Sequence, residues 1–178
     1  MTSKVLFAGF GGQGILFSGK FLAYEGLLEE RQVSWLPSYG PEMRGGTASC
    51  SVILSDNAIG SPIVTNPDIL IAMNLPSYDK YEQKVEKGGK VFVDSALVAR
   101  KAVRDDVDTY YIPATRLASE NGIPTLANMI ILGKVIKETG IIPFENVERA
   151  LKKVISAKRA DMLEVNMKAI KMGYDYEG

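Results

Sequence analysis

Hydrophobic and polar positions along the chain predict strands and helices in alternation. A short apolar run at 5–8 leads into a glycine-rich turn at 9–14, and apolar residues with helical spacing follow over 15–28. Two later runs, 69–73 and 90–93, are almost wholly apolar, which is typical of strands covered on both faces. Short buried strands that alternate with helices indicate an α/β fold with a mostly parallel sheet flanked by helices.

The stretch between these runs predicts an antiparallel hairpin edge. Residues 32–36 form a second predicted strand, and a loop rich in proline and glycine follows at 37–46. The β-branched and small residues of 47–54 predict another strand. The turn signal after that strand predicts a hairpin that returns through Ile59. An antiparallel pair is therefore expected at one edge of the sheet.

The last third of the chain is predicted to be helical. Apolar residues recur there at intervals of three and four over 125–137 and 144–155, and a further helix is predicted from about 160 to 172. No repeat or low-complexity segment divides the chain, so residues 1–178 are expected to form a single domain.

The glycine-rich turn has the G-x-G-x-x-G pattern between a predicted strand and a predicted helix. Gly9 and Gly11 permit close approach of the backbone, and Gly14 lets the helix pack tightly on the strand. The unpaired N–H groups of the first helical turn would face an anion or a partner carboxylate. A dinucleotide site also needs an acidic residue at the end of the second strand, and none closes 32–36. A structural or interface turn is therefore favoured over a nucleotide site, which stays open.

The loop at 37–46 is expected to lie beside the glycine-rich turn, because the turns after parallel strands open at the same edge of a sheet. Tyr39, Glu42 and Arg44 give it an aromatic ring, a carboxylate and a guanidinium. The loop is longer than a tight connection needs, which favours recognition of a partner or an anion over a structural role. Arg44 is the leading candidate, because its guanidinium can hold a phosphate or carboxylate with two hydrogen bonds. An internal ion pair with Glu42 or Asp94 is the alternative.

Two other polar residues have more than one interpretation, and the single cysteine has one. Gln13 is expected either to donate to a ligand above the glycine-rich turn or to satisfy loop backbone. Asp94, at the end of a strand, is expected to cap the next helix rather than to orient a ligand. Cys50 lies within a predicted strand and is expected to be a small core residue.

Composition narrows the function further. The 21 Lys and Arg residues balance the 21 Asp and Glu residues, so the charge pattern of a nucleic-acid binder is missing. No apolar run is long enough to span a membrane, and the N-terminal residues lead straight into a strand. We therefore expect a cytoplasmic protein without a signal peptide. The sequence has no histidine and one cysteine, which excludes imidazole chemistry and any metal cluster held by this chain alone.

Taken together, these motifs resemble the gamma subunit of 2-oxoacid:ferredoxin oxidoreductases. The resemblance rests on the glycine-rich turn at 9–14 and the proline–tyrosine–arginine loop at 37–47, and it extends to 55–62 and 166–173. The arginine-glycine-glycine form of the loop is more similar to the 2-oxoglutarate type than to the pyruvate type. The branched-chain 2-oxoacid type stays open.

The resemblance implies a subunit of a heteromeric enzyme that oxidatively decarboxylates a 2-oxoacid, acylates coenzyme A and passes electrons to ferredoxin. It implies alpha and beta subunits as partners, with or without a delta subunit. The complex is expected to use thiamine diphosphate, magnesium and iron–sulfur clusters, none of them bound by this chain alone. No catalytic or metal-binding residue is expected here. The residues expected to contact a partner subunit or coenzyme A are Gly9, Gly11, Gly12, Gln13, Gly14, Tyr39, Gly40, Glu42, Arg44, Gly45 and Gly46.

Two alternatives accompany this reading. The first is a free-standing nucleotide-binding protein that holds a pyrophosphate at Gly9, Gly11 and Gly14. The second is a scaffold domain that dimerises through the same edge of the sheet.

Overall fold

One sheet runs through the structure, a computed structural model that describes residues 1–40 and 46–178. Its strands are β1 (Thr2–Phe10), β2 (Gln32–Tyr39), β3 (Thr47–Ser55), β4 (Ile69–Ala72), β5 (Lys90–Asp94) and β6 (Asp108–Ile112). Their order across the sheet is β2-β3-β1-β4-β5-β6. Strands β1, β4, β5 and β6 run parallel, whereas β3 lies antiparallel between β1 and β2. The predicted α/β class, with a mostly parallel sheet and an antiparallel edge, is confirmed.

Helices cover the two faces of the sheet unequally. They are α1 (Ile15–Leu28), α2 (Leu75–Tyr81), α3 (Ala114–Glu120), α4 (Ala127–Thr139), α5 (Val147–Val154) and α6 (Asp161–Tyr174). The predicted first helix and the helical last third of the chain are both confirmed. Helix α2 ends at Tyr81 and is followed by one 3-10 turn.

The thick face of the sheet carries Phe7, Ile71 and Phe92 under helices α1, α3, α4, α5 and α6. Helices α4 and α6 pack closely enough for their backbones to meet. A Cβ atom on Gly133 would overlap the carbonyl of Ile170, and one on Gly173 would overlap the carbonyl of Ile130. Only glycine fits at these two positions, because the obstructing atoms belong to backbone that cannot move aside.

The thin face of the sheet carries Leu6, Leu70 and Val91 under helix α2 and the segment that joins β5 to β6. A parallel crossover usually contains a helix, but residues 95–107 form none. The segment is fastened to α2 by polar contacts instead of by a packed helical surface.

The polar contacts of the thin face centre on Glu82, whose side chain is buried. Its carboxylate accepts hydrogen bonds from Tyr78 Oη at 3.0 Å, Arg100 Nη2 at 2.7 Å and the Val103 N–H at 3.2 Å. Arg104 donates to the Glu82 carbonyl at 3.1 Å and forms an ion pair with Asp106. A buried carboxylate is stable here because an opposite charge and two further donors satisfy its oxygens.

The predicted hairpin that returns through Ile59 is wrong. Strand β3 continues to Ser55, and residues 56–68 form no strand. The hairpin is made by β2 and β3, and its connection begins at Gly40 and ends at Gly46.

The predicted second strand was also too short. β2 passes through Pro37 to Tyr39, so the connecting loop is shorter than expected. Proline is tolerated there because β2 is an edge strand. Gly40 donates to the Thr47 carbonyl at 3.0 Å, so even-numbered residues of β2 direct their backbone groups toward β3. The nitrogen of Pro37 therefore faces outward, where no hydrogen bond with β3 is lost.

Candidate functional site

The glycine-rich turn and the β2–β3 connection meet at the carboxyl edge of the sheet. Phe10 pairs with Thr47, and the Gly11 N–H donates to the Gly46 carbonyl at 2.8 Å. This hydrogen bond continues the β1–β3 ladder beyond the end of both strands. The prediction that the two segments lie side by side is confirmed, and the role given to them stays a prediction.

Gln13 holds the glycine-rich turn closed. Its Oε1 accepts from the Phe10 N–H at 2.7 Å, and its Nε2 donates to the Met73 carbonyl at 3.0 Å. Asn74 Nδ2 also approaches Gln13 Oε1 at 3.4 Å. Of the two interpretations of Gln13, these contacts support the satisfaction of loop backbone. The side chain ties the end of β1 to the end of β4.

Glycine is needed at different positions of the turn for different reasons, either the backbone conformation or the lack of space for a side chain. Gly12 has a φ of 96° with open space around it, so its conformation is the constraint. Gly14 caps α1 with a φ of 75°, and a Cβ there would overlap the side chain of Asn128. A Cβ on Gly9 would lie 2.6 Å from Gln13 Oε1. No side chain of residues 1–40 or 46–178 caps α1, so within this part of the chain the N–H groups of its first turn have no side-chain acceptor.

Tyr39 separates two clefts at this edge, and its side chain is 53% exposed. The first cleft, of about 300 Å³, lies toward α1 and is lined by Phe10, Gly11, Gly12, Gly14, Ile15, Leu16, Phe17, Tyr39 and Ala48. The second, of about 200 Å³, lies toward α2 and is lined by Ser38, Tyr39, Gly40, Thr47, Ala48, Ser49, Pro76, Ser77, Lys80 and Tyr81. The first cleft is mostly apolar, whereas the second offers hydroxyl groups and a lysine.

A third cleft, of about 410 Å³, continues past Phe17 between α1, α4 and α6. Asn128 and Asn166 line its floor, and Arg159 lies at its margin. Asn128 Nδ2 donates to the Gly14 carbonyl at 3.1 Å, so this side chain fixes the glycine-rich turn against α4.

Several of the predicted contact residues are brought together, and others lie outside the described residues. Gly9, Gly11, Gly12, Gln13, Gly14, Tyr39, Gly40 and Gly46 surround the meeting point of the two segments. Glu42, Arg44 and Gly45 fall within 41–45, so the roles predicted for them stay predictions, as does the suggested ion pair of Arg44.

Asp94 caps a helix, as expected. Its buried carboxylate accepts from the Thr115 N–H at 3.1 Å and from the Thr115 hydroxyl at 2.5 Å, at the start of α3. Burial raises the pKa of Asp94 above its ordinary value, and the hydrogen bonds from Thr115 oppose that shift. The side chain is committed to the fold and does not face the clefts around Tyr39.

Cys50 is a core residue, as expected. Its thiol is fully buried beneath α1, beside Gly19. Burial raises the pKa of this thiol to about 12, which keeps it protonated. Within residues 1–40 and 46–178, no three side chains of His, Cys, Asp or Glu converge as a metal site would require.

The topology around β1 differs from that of a dinucleotide site. In a doubly wound dinucleotide fold the neighbour of the first strand is a parallel strand that ends in an acidic residue. Here antiparallel β3 occupies that place, and β2 is displaced to the sheet edge. The glycine-rich turn thus faces a hairpin where the ribose pocket would be.

Asn166 lies in a segment that carries the family resemblance, although no role was predicted for it. Sequence analysis missed four other residues that line the clefts, which are Phe17, Lys80, Asn128 and Arg159. None carries a local signal, because each is an ordinary helical or loop residue brought to the edge by long-range packing. Of the helices in the described part of the chain, none is both long enough and apolar enough to cross a bilayer.

Comparison with known proteins agrees with this arrangement. The family model described as pyruvate ferredoxin/flavodoxin oxidoreductase matches residues 4–176. Ketoisovalerate oxidoreductase subunit VorA of Methanothermobacter marburgensis is 39% identical over 175 residues, which are 97% of this chain and 36% of VorA. The chain therefore spans about a third of that relative's length.

Two further similarities concern proteins of nearly the same length. The 2-oxoglutarate synthase subunit KorC of Methanocaldococcus jannaschii is 36% identical over 178 residues, covering 98% of this chain and 94% of KorC. The crystal structure of the keto/oxoacid ferredoxin oxidoreductase gamma subunit from Geobacter sulfurreducens superposes with a TM-score of 0.86 at 29% identity, covering 98% of this chain and 95% of that one. The chain belongs to the pyruvate ferredoxin/flavodoxin oxidoreductase family, among the gamma-type subunits of 2-oxoacid:ferredoxin oxidoreductases.

Proposed function

We propose that this chain serves as the gamma-type subunit of a heteromeric enzyme that converts 2-oxoglutarate to its acyl-coenzyme A product and passes the electrons to ferredoxin. The alpha and beta subunits, with or without a delta subunit, are its partners. The chain itself contributes a docking surface and no catalytic group. Family membership supports the reaction class, and the carboxyl edge of the sheet supports the docking role.

The observation that carries the docking role is the hydrogen bond from Gly11 to Gly46. This hydrogen bond joins the glycine-rich turn and the β2–β3 connection, so that the two segments form one surface beside the exposed ring of Tyr39. Aromatic side chains and exposed backbone groups are well suited to recognition of another polypeptide. Among the described residues that line the clefts beside Tyr39, no carboxylate is available as a general base.

Coenzyme A is proposed to pass along this edge on its way to the catalytic subunits. The N–H groups at the start of α1 can donate hydrogen bonds to phosphate oxygens, and Gly12 leaves room for close approach. Lys80 lies in the cleft on one side of Tyr39 and Arg159 beyond Phe17 on the other. Coenzyme A is long and carries negatively charged phosphates, so it matches a series of clefts that has a cationic side chain toward each end.

Thiamine diphosphate, magnesium and iron–sulfur clusters are assigned to the other subunits. The described residues do not fit these groups, because the only cysteine is buried and protonated and no cluster of metal ligands is present among them. The chemical steps of the reaction therefore take place on the other subunits.

The choice of 2-oxoglutarate follows from the relative of matching length, KorC, and from the arginine-glycine-glycine loop. Because VorA is also similar, the decisive assay compares 2-oxoglutarate, 2-ketoisovalerate and pyruvate as substrates of the complex purified from its native cells. Coenzyme A-dependent reduction of ferredoxin should be fastest with 2-oxoglutarate. Preference for either other acid would overturn the substrate assignment and leave the subunit role intact.

The docking role is tested with Arg44→Ala in the reconstituted complex. We expect weaker assembly or a higher KM for coenzyme A, because Arg44 comes two residues before Gly46 in the sequence and has a guanidinium that can hold a phosphate or carboxylate. The matched control is Arg149→Ala, which removes a half-exposed arginine on α5 that forms an ion pair with Glu29. If Arg44→Ala changes assembly and KM no more than Arg149→Ala does, the carboxyl edge is not the docking surface.

The free-standing nucleotide-binding alternative has its own test. Calorimetric titration of the isolated chain with NAD(H) and with flavins should show no binding, because β3 occupies the ribose side of the glycine-rich turn. Micromolar affinity for either cofactor would favour the alternative.

A further inference from the structure

The edge strand β2 presents a row of backbone groups that no described residue pairs. Because Gly40 bonds to Thr47, the residues Val33, Trp35, Pro37 and Tyr39 direct their backbone groups away from β3. Three of these four have an N–H group to offer. Edge strands are commonly blunted by charge or by proline, and residues 32–40 contain no charged side chain and a single proline, Pro37.

Apolar side chains surround this row. Five of the ten large apolar side chains exposed by the described residues lie on α1 and β2. Trp35 is 40% exposed and Leu27 is 56% exposed. Helix α1 packs across β3 and β2 at Gly19 and Gly26, and Leu27 directly follows Gly26 on this helix. An unpaired edge beside an apolar surface is a site where another strand can be added.

The similar proteins indicate what covers this surface. VorA carries the equivalent of this chain within a polypeptide of nearly three times its length. In VorA, the segment equivalent to this chain is therefore joined to a larger segment of the same polypeptide. Where the two segments are separate subunits, the larger one would be a different chain. An uncharged, apolar edge suits a permanent contact of this kind better than a transient one.

A second copy of this chain fits the edge less well. Antiparallel pairing of β2 with itself would bring both Pro37 residues into the new ladder, so two donors would be missing. A foreign strand meets Pro37 only once. The larger subunit is therefore the better occupant.

We propose that, in the assembled enzyme, an extended segment of the larger catalytic subunit adds to the sheet along β2 and covers Trp35 and Leu27. The inference rests on the heteromeric function proposed above. It concerns the β2 edge and the exposed side of α1, whereas the docking surface described earlier lies at the carboxyl ends of the strands.

Hydrogen exchange tests the strand addition directly. In the full chain alone, the outward amides of Val33, Trp35 and Tyr39 should exchange quickly, whereas those of Ser34 and Leu36 are protected by β3. In the complex reconstituted with its unlabelled partner subunits, exchange of the outward amides should slow by roughly tenfold or more. If the complex forms and these amides still exchange quickly, strand addition is wrong and the proposed function stands.

Paired substitutions test the apolar contact. Leu27→Glu should weaken association with the larger subunit by about tenfold or more, because a charge would be buried. Ile63→Glu is the matched control, since Ile63 is 67% exposed and lies in the segment after β3. Equal effects of the two variants would overturn the proposal. If the outward amides are protected in a homodimer of the chain alone, the occupant of the β2 edge is a second copy of this chain and not the larger subunit. If no complex with larger subunits forms at all, the proposed function and this inference fail together.

Discussion

The two faces of the sheet are covered by different means. The thick face is held by apolar packing of five helices, with glycines where α4 and α6 touch. The thin face is held by one short helix and an irregular segment tied to the buried carboxylate of Glu82. Apolar packing needs long regular elements, whereas a polar network can fasten a segment that has no regular structure. The thin face thus adds a buried ionic network to a smaller apolar cluster, to which the irregular segment contributes Val98 and Val107.

Substitution at the helix crossing should have the largest effect. Gly173→Ala is expected to lower the free energy of unfolding by about 3 kcal/mol or more, because the new Cβ would overlap the backbone of Ile130. Urea denaturation measures this change. Gly60→Ala is the control, since Gly60 has open space around it, and it should change stability by less than about 0.5 kcal/mol. Similar stability of the two variants would mean that α4 and α6 are not in backbone contact.

Loss of the central carboxylate should weaken the thin face. Glu82→Ala is expected to lower the free energy of unfolding by about 2–3 kcal/mol, because Tyr78, Val103 and the partly exposed Arg100 lose their acceptor. Glu86→Ala is the control, since its ion pair with Lys4 is largely exposed and should contribute less than about 1 kcal/mol. Limited proteolysis should then cleave residues 95–107 first. Unchanged protease resistance of that segment would contradict the fastening role.

The thick face contains one charge that opposes folding. Glu25 is fully buried on α1, and neither carboxylate oxygen has a hydrogen-bond partner among the described residues. Burial, assisted by Glu29 and opposed by Arg149, raises the pKa of Glu25 from 4.5 to about 7. The folded chain therefore holds the proton more tightly than the unfolded chain. The stability linked to that proton is complete below pH 4.5 and is lost as the pH rises to about 7.

Glu25→Gln should remove this pH dependence. At pH 8 the variant is expected to be more stable than the parent chain by about 2 kcal/mol, and at pH 4.5 the two should be nearly equal. Urea denaturation across this pH range measures the difference. A difference between the two chains that stays constant with pH would show that Glu25 is charged in both states and hydrated in the fold.

The glycine-rich turn belongs to neither face, and its substitution should have the smallest effect on stability. Gly12→Ala is expected to lower the free energy of unfolding by about 1 kcal/mol, because alanine tolerates a φ of 96° poorly although space is open. Thermal unfolding measures the loss, with Gly60→Ala again as the control. A loss as large as that of Gly173→Ala would place Gly12 in the packed interior and end the contrast between the two kinds of glycine.

Local signals in the sequence predicted the elements well. The apolar run before the glycine-rich turn and the helical spacing after it located β1 and α1, and the recurring apolar positions located the C-terminal helices. Because the carboxyl ends of parallel strands lie at one edge of a sheet, the sequence predicted that Gly11 and Gly46 lie close together.

The errors arose where distant parts of the chain decide the structure. The sequence suggested that Pro37 ends its strand, but an edge position removes the need for its N–H group. The insertion of β3 between β1 and β2 leaves no local trace, so the hairpin was assigned to the wrong pair of segments. Asn128 supports the glycine-rich turn from a helix more than a hundred residues away, by a contact that no spacing in the sequence reveals.

The burial of Cys50 has a chemical consequence for the proposed enzyme. A reaction that builds a thioester must deliver its acyl group to the sulfur of the carrier and to no other. A thiol shielded beneath Gly19, with a pKa of about 12, supplies essentially no thiolate at neutral pH. The subunit therefore presents no second thiol that could compete with the carrier for the acyl group.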